Sequence, residues 1–194
     1  VIPAFDIDGV VPPIRPGEKA SSSDRAPYPT DILTFCLRFG GTPERRALLG
    51  GLLDFRAALV AIGIVEGFQW LDGSFLEDVE RLRQRAPADI DVVTFGVVGD
   101  APTQRARVRR APTLFDHAAV KVAYRVDHYL IGTDDPSDVD RSKLSRKVAY
   151  WYSMWAHQRD TQRWKGFVSA PLVSTDADAR RWLAQQAPVG AGAP

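Results

Sequence analysis

Little in this chain points to a stapled, zinc-bound or membrane-embedded protein. A single cysteine, Cys36, among 194 residues excludes an internal disulfide and a zinc site built from several thiolates, and it fits a reducing compartment. The longest apolar run, Ala57 to Val65, falls far short of the length that spans a bilayer. The opening Val1-Ile2-Pro3-Ala4-Phe5-Asp6 lacks the basic and apolar regions of a signal peptide. Charge of one sign is also missing: 25 Lys and Arg stand against 24 Asp and Glu, for a net charge of +1. No global field therefore draws the chain to duplex DNA or to an anionic membrane. These absences predict a soluble, cytoplasmic protein with no membrane partner.

What is there reads as one globular domain. Apolar residues make up 45% of the chain, and a chain of this length buries a sizeable core without staples. The domain is expected over residues 1–187, with a flexible tail of small residues over 188–194. Residues 12–30 form an extended arm rich in Pro and Ser, either a lid or an ordered strap. A short helix is expected from Asp31 to Phe39, capped by Thr30 and ended by Gly40-Gly41. A longer one begins at Thr42 with Pro43 in its first turn and runs to Gly63, its stripe of Leu48, Leu52, Phe55, Leu59 and Ile62 forming core. Arg45 and Arg46 read as solvated. Further helices are expected over Ala101 to Ala111, from the cap Asp116 to Ala123, from Arg141 to His157, and after Thr175. Strands are expected around Phe68 to Trp70, over Asp89 to Phe95, over Arg125 to Ile131 and over Lys165 to Leu172. The order of elements predicts an α+β fold: a small mixed sheet backed on one side by the Thr42 and Arg141 helices.

The chemistry concentrates in Leu71-Asp72-Gly73-Ser74-Phe75 and in Asp89-Ile90-Asp91-Val92-Val93. Side chains alternate along a strand, so Asp89 and Asp91 share one face, with Ile90 and Val92 directed into the core. Two carboxylates side by side repel one another, and a hard divalent cation, Mg2+ or Mn2+, relieves the repulsion. Gly73 lets the backbone approach a phosphate, and the Ser74 hydroxyl with nearby amides can bond its oxygens. The segment Phe75 to Arg85 reads as a helix or structured loop that starts at this phosphate position. Glu77, Asp78 and Glu80 fall between the two motifs and are set aside as decoys. In the block from Tyr152 to Phe167, Trp164 could stack on a base while Arg159 or Lys165 holds phosphate oxygens. His128 reads as a packed residue facing away from the acids.

This arrangement resembles the nucleotidyltransferase superfamily that includes DNA polymerase beta, whose pattern is an apolar residue, Gly, Ser, a spacer, then acid, apolar, acid. The spacer between Ser74 and Asp89 is longer than that pattern. The resemblance implies a third acid on a later strand, matched by Asp127 in Arg125-Val126-Asp127-His128-Tyr129-Leu130, and a following helix whose lysines, Lys147 among them, reach the triphosphate. It implies Asp89, Asp91 and Asp127 as catalytic and metal-binding residues, and Gly73, Ser74, Lys147, Arg159, Trp164 and Lys165 around the nucleotide. The substrate would be an NTP or dNTP, its nucleoside monophosphate joined either to the 3′-hydroxyl of a nucleotide or nucleic acid, making a short oligonucleotide or nucleotide signal, or to a protein tyrosine or serine, with release of pyrophosphate. Several further pieces, from Ile2-Pro3-Ala4-Phe5 with Pro12-Pro13, through Arg38-Phe39-Gly40 and Pro43-Glu44-Arg45-Arg46, to His157-Gln158-Arg159-Asp160 and Trp164-Lys165-Gly166-Phe167, are similar to a little-characterised bacterial family of small nucleotidyltransferase-like proteins. That likeness implies a setting in toxin-antitoxin or antiphage defence, with an effector protein encoded nearby.

Three other readings stand beside it. A protein-adenylylating transferase of the antitoxin type would use the same acids. A catalytically silent module would keep the fold and bind nucleotide only. Finally, Phe5-Asp6-Ile7-Asp8-Gly9-Val10 resembles the nucleophile motif of haloacid-dehalogenase-type phosphatases, with Gly132-Thr133-Asp134-Asp135 as a later acidic pair. Pro3 would remove a ladder donor from the short strand that motif needs, and two turn acids before a glycine is the simpler account.

Overall fold

The computed structural model describes residues 1–134 and 138–186. Asp135 of the later acidic pair and the tail 188–194 lie outside those residues. Five strands, β1 (Tyr28–Pro29), β2 (Gly67–Asp72), β3 (Ile90–Gly96), β4 (Val126–Gly132) and β5 (Val168–Pro171), form one mixed sheet in the order β1-β5-β2-β3-β4. β2 runs antiparallel to both β3 and β5, whereas β3 and β4 are parallel. The helices are α1 (Ile32–Phe39), α2 (Pro43–Ala61), α3 (Val79–Arg83), α4 (Ala101–Arg110), α5 (His117–Tyr124), α6 (Asp138–Trp155) and α7 (Asp176–Gln186). The fold is α+β, as the order of elements predicts.

Local signals account for most boundaries. Thr42 caps α2 by accepting from the Arg45 amide, and Pro43 follows at its start, where a missing N–H costs nothing. Asp116 caps α5 through the Ala119 amide. At α1 the cap is Asp31 and not Thr30: the Asp31 carboxylate accepts from the Thr34 amide at 2.9 Å and from the Thr34 hydroxyl at 2.7 Å. Burial alone would push this acid up, but the bonds from Thr34 and Thr175 pull it down to about 2. The Thr175 hydroxyl is likewise committed to α1, accepting from the Leu33 amide, while its carbonyl takes the first bond of α7. The arm is a strap. β1 pairs with β5, the buried Tyr28 donates to the Pro12 carbonyl at 2.9 Å, and Ile14 bridges Arg25.

The two long helices cover opposite faces of the sheet, which corrects the expectation that both back one side. On one face Phe55 of α2 meets His128 with ring centroids 4.5 Å apart, and the buried Arg56 donates to the Gln69 amide oxygen. On the other face Trp151 of α6 meets Tyr129 at 4.5 Å, and Trp155 meets Phe167 at 5.9 Å. A sheet with apolar side chains on both sides needs a helix on each, and an apolar stripe in the sequence does not say which. Arg45, expected in solvent, is buried. Its guanidinium donates to the carbonyls of Phe75 and Glu77 and to the Glu80 carboxylate, pinning α2 to the segment after Gly73.

Residues 6–9 form a turn, with the Asp6 carboxylate accepting from the Asp8 and Val10 amides. The phosphatase motif needs its acids at the end of a buried strand, and these are not.

Candidate active site

The end of β2 and the starts of β3 and β4 meet at one end of the sheet. Register decides which side chains gather there. Asp72 lies opposite Asp91 across β2 and β3, and Asp91 is the partner of Asp127 across β3 and β4. Directly paired residues project to the same face, so Asp72, Asp91 and Asp127 form a row, and Asp89, two residues before Asp91, joins it. The row floors a cavity of about 660 Å3. The α6 side closes it with Met154 and Trp155, and Arg83, Arg85 and Arg159 supply cationic rim groups.

The turn after β2 is shaped by Gly73. Its φ of 87° lies in the left-handed region, and a Cβ there would overlap the Asp91 carboxylate. Ser74 opens a 3-10 turn, Ser74–Leu76, which leads to the short α3. The segment from Phe75 to Arg85, expected as a helix or structured loop, thus holds a 3-10 turn and a separate short helix. Gly73 and Ser74 both line the cavity.

Like charges set the electrostatics. Burial, and then the charges of Asp89 and Asp127, push the Asp91 carboxyl up to about 6. Lys121 on α5 answers them: its ammonium lies 2.7 Å from Asp89 Oδ2 and 2.9 Å from Asp127 Oδ2. Bonds to these two acids raise the Lys121 pKa above its ordinary value. His117, one turn earlier on the same helix, places Nε2 3.4 Å from Asp127 Oδ1. Below the row, the buried Lys165 sits 2.9 Å from Asp72 Oδ1 and 3.3 Å from Glu77 Oε1. Burial pushes Asp72 up to about 7 against the pull of Lys165. Burial pulls Lys165 down, but the two carboxylates together hold it above the ordinary lysine value.

The structure thus brings together Asp89, Asp91, Asp127, Gly73, Ser74, Arg159 and Lys165. It does not bring in Lys147, which is exposed on α6 away from the cavity, nor Trp164, which is 55% exposed and packs edge-on against His157. Lys165 faces the cavity but is committed to carboxylates, not free for a phosphate. Glu77, set aside as a decoy, is a buried part of the cavity wall that also accepts from the Gln158 amide. Asp72, Glu77, His117 and Lys121 were missed. The only trace of the last two was a His and a Lys four apart on the helix that precedes the third acid. His128 faces away from the acids as expected, with Nε2 2.9 Å from Thr94 Oγ1.

Among the described residues no group of three or more His, Cys, Asp or Glu is arranged to hold a metal ion, and the Lys121 ammonium is bonded to both Asp89 and Asp127. The donors themselves fit one. Their oxygens are hard, and Asp127 Oδ1 is buried without a hydrogen bond. Mg2+ or Mn2+ would take the place of Lys121.

Residues 3–171 match the family described as "Family of unknown function (DUF6932)". The chain belongs to that family. In this DUF6932 protein the match takes in every residue of the cavity and ends at β5, just before α7. Comparison with curated proteins and with solved structures gives no match. No helix among the described residues is long and apolar enough to cross a membrane.

Proposed function

We propose that this protein is a metal-dependent nucleotidyltransferase, moving a nucleoside monophosphate from an NTP or dNTP to a hydroxyl acceptor. The observation that carries the reading is the strand register that puts Asp91 and Asp127 side by side, next to the Gly73-Ser74 turn, at the floor of one cavity. The turn would hold the nucleotide's phosphates through the Ser74 hydroxyl and nearby amides, and Arg159 at the rim would bond the outer phosphate oxygens. Asp89, Asp91 and Asp127 would hold the cation, which when bound lowers the pKa of the attacking hydroxyl and neutralises charge on the leaving group. Asp127 Oδ1, which accepts no hydrogen bond and has His117 Nε2 3.4 Å away, would take the proton of that hydroxyl. The acceptor oxygen bonds to the α-phosphorus as the bond to pyrophosphate breaks, and the turn keeps the phosphorus in line.

The test is pyrophosphate release from each NTP and dNTP with Mg2+. Asp89→Ala with Asp91→Ala should abolish it, and unchanged turnover refutes the assignment. One observation favours a second reading, the silent nucleotide-binding module: Lys121 already neutralises Asp89 and Asp127. Calorimetric binding of ATP with Mg2+ and no pyrophosphate from any substrate supports that module.

A further inference from the structure

Four aromatic rings touch in succession, tilted or edge-on to one another, and form a stepped shelf that starts at the acids and leads out over the surface. His117, in contact with Asp127, has its ring centroid 5.1 Å from that of Tyr129. Tyr129 lies 4.5 Å from Trp151, and Trp151 lies 5.3 Å from Tyr150. The rings come from α5, β4 and α6, and β4 is the edge of the sheet. Core packing explains Trp151, which is partly buried. It does not explain Tyr129 and Tyr150, which are 42% and 58% exposed. Large amphipathic rings left in water side by side are what a base-stacking surface needs, because every base presents a π-face.

Charge is graded along the same track. Residues three, four and seven apart on a helix share one side, so Lys147, Tyr150, Trp151 and Met154 succeed one another along α6. The exposed Arg146 and Lys147 stand at the outer end, and Met154 lines the cavity at the inner end. A ligand lying on the shelf would meet the exposed Arg146 and Lys147 far from the reaction centre and, at it, the carboxylates of Asp89 and Asp127 with Lys121 bonded between them. A single nucleic acid strand has that polarity when its phosphates pass Arg146 and Lys147 and its terminal 3′-hydroxyl reaches Asp127.

We propose that the acceptor is single-stranded nucleic acid, stacked by its last bases on the His117, Tyr129, Trp151 and Tyr150 shelf with its 3′-hydroxyl at Asp127. The inference rests on the nucleotidyltransferase reading and names its acceptor. It also assigns to Lys147 a contact with acceptor phosphates in place of the triphosphate contact that the cavity does not support.

The probe is a fluorescently labelled single-stranded ten-mer with a free 3′-hydroxyl, as DNA and as RNA, measured by anisotropy in EDTA across a salt series. Wild-type protein should bind at least one of the two with affinity that falls as salt rises. Tyr150→Ala should weaken binding about tenfold or more. Lys147→Ala should weaken it less and flatten the salt dependence. Both side chains are exposed, and unchanged melting curves exclude misfolding. Absence of binding by wild type, or equal binding by both variants, overturns the proposal. So does a tyrosine- or serine-containing peptide that binds in place of the oligonucleotide and is lost in Tyr150→Ala. Pyrophosphate release to some other acceptor without oligonucleotide binding sinks the shelf and keeps the transferase. Oligonucleotide binding lost in Tyr150→Ala, with no pyrophosphate from any substrate, keeps the shelf and sinks the transferase.

Discussion

Lys165→Met should damage this protein at neutral and alkaline pH and spare it in mild acid. The Lys165 side chain is 5% exposed, and its partners Asp72 and Glu77 are 3% and 5% exposed, so solvent does little to screen the charges. Removing one partner of such a buried pair costs about 3–5 kcal/mol, a large part of the about 5–15 kcal/mol by which domains are stable. Glu77 keeps the Arg83 guanidinium at 3.4 Å and the Gln158 amide at 3.2 Å, so the loss falls mainly on Asp72. The sign of the pH dependence follows from Asp72. Its folded pKa, about 7, is raised above the ordinary 3.8. Between those values the native protein keeps a proton that the unfolded chain has released, and on this group's account stability falls as pH rises from about 4 to about 7. Without Lys165 only the hydrogen bond from the Gly73 amide still draws the Asp72 pKa down, so the falling limb extends above pH 7 by about 1.4 kcal/mol per unit of further shift. Urea unfolding at pH 5 and pH 8 reads this directly. The variant should lie near wild type at pH 5 and well below it at pH 8, and Asp72→Asn in the same chain should recover most of the loss. A deficit that is equal at both pH values, or below about 1 kcal/mol as for a surface pair, refutes the reasoning.

Gly73→Ala meets both a positive φ and the Asp91 carboxylate. It should cost more than about 1 kcal/mol in a thermal melt and lose nucleotide transfer because Asp91 moves. Lys121→Met removes an ammonium whose side chain is 45% exposed. Stability should change by less than about 1 kcal/mol, while Mn2+ measured by calorimetry should bind more tightly, since its internal competitor is gone; weaker binding would count against the site. Burial, and then the charge of His117, hold His128 down at about 3. The unfolded chain therefore takes up a proton below about pH 6.5 that the native state refuses, and stability is lost as pH falls through that window. His128→Gln should flatten this acid limb, seen as a smaller drop in melting temperature between pH 7 and pH 4.

Short-range chemistry was the legible part. Thr42-Pro43 announces α2 and Asp116 announces α5 because a cap and its helix are neighbours in sequence. The runs from Asp89 to Phe95 and from Arg125 to Ile131 read as strands within a residue or two. Asp127 was matched to Asp91 through the superfamily pattern, and the parallel register of β3 and β4 sets the two side by side. What stayed hidden depends on contacts between distant segments. Nothing near Arg45 says that two carbonyls about thirty residues later will be buried against it. Nothing near Lys165 says that Asp72 and Glu77 will enclose it. Trp164 stood out because its neighbours are basic and aromatic, but its ring is exposed outside the cavity. The stripe on α6 was legible as apolar, but the face of the sheet it covers is set by the aromatic surface of Trp70, Tyr129 and Phe167.

The central claim is that Asp89, Asp91 and Asp127 together hold a cation beside a nucleotide whose phosphates lie on the Gly73-Ser74 turn. A crystal of the protein soaked with Mn2+ and a non-hydrolysable NTP analogue tests it by anomalous diffraction. The account predicts a manganese peak contacting these three carboxylates, with Lys121 moved off Asp89 and Asp127 and the triphosphate on the turn. Manganese bound elsewhere, or a nucleotide bound away from that cavity with Lys121 still bridging the two acids, contradicts it.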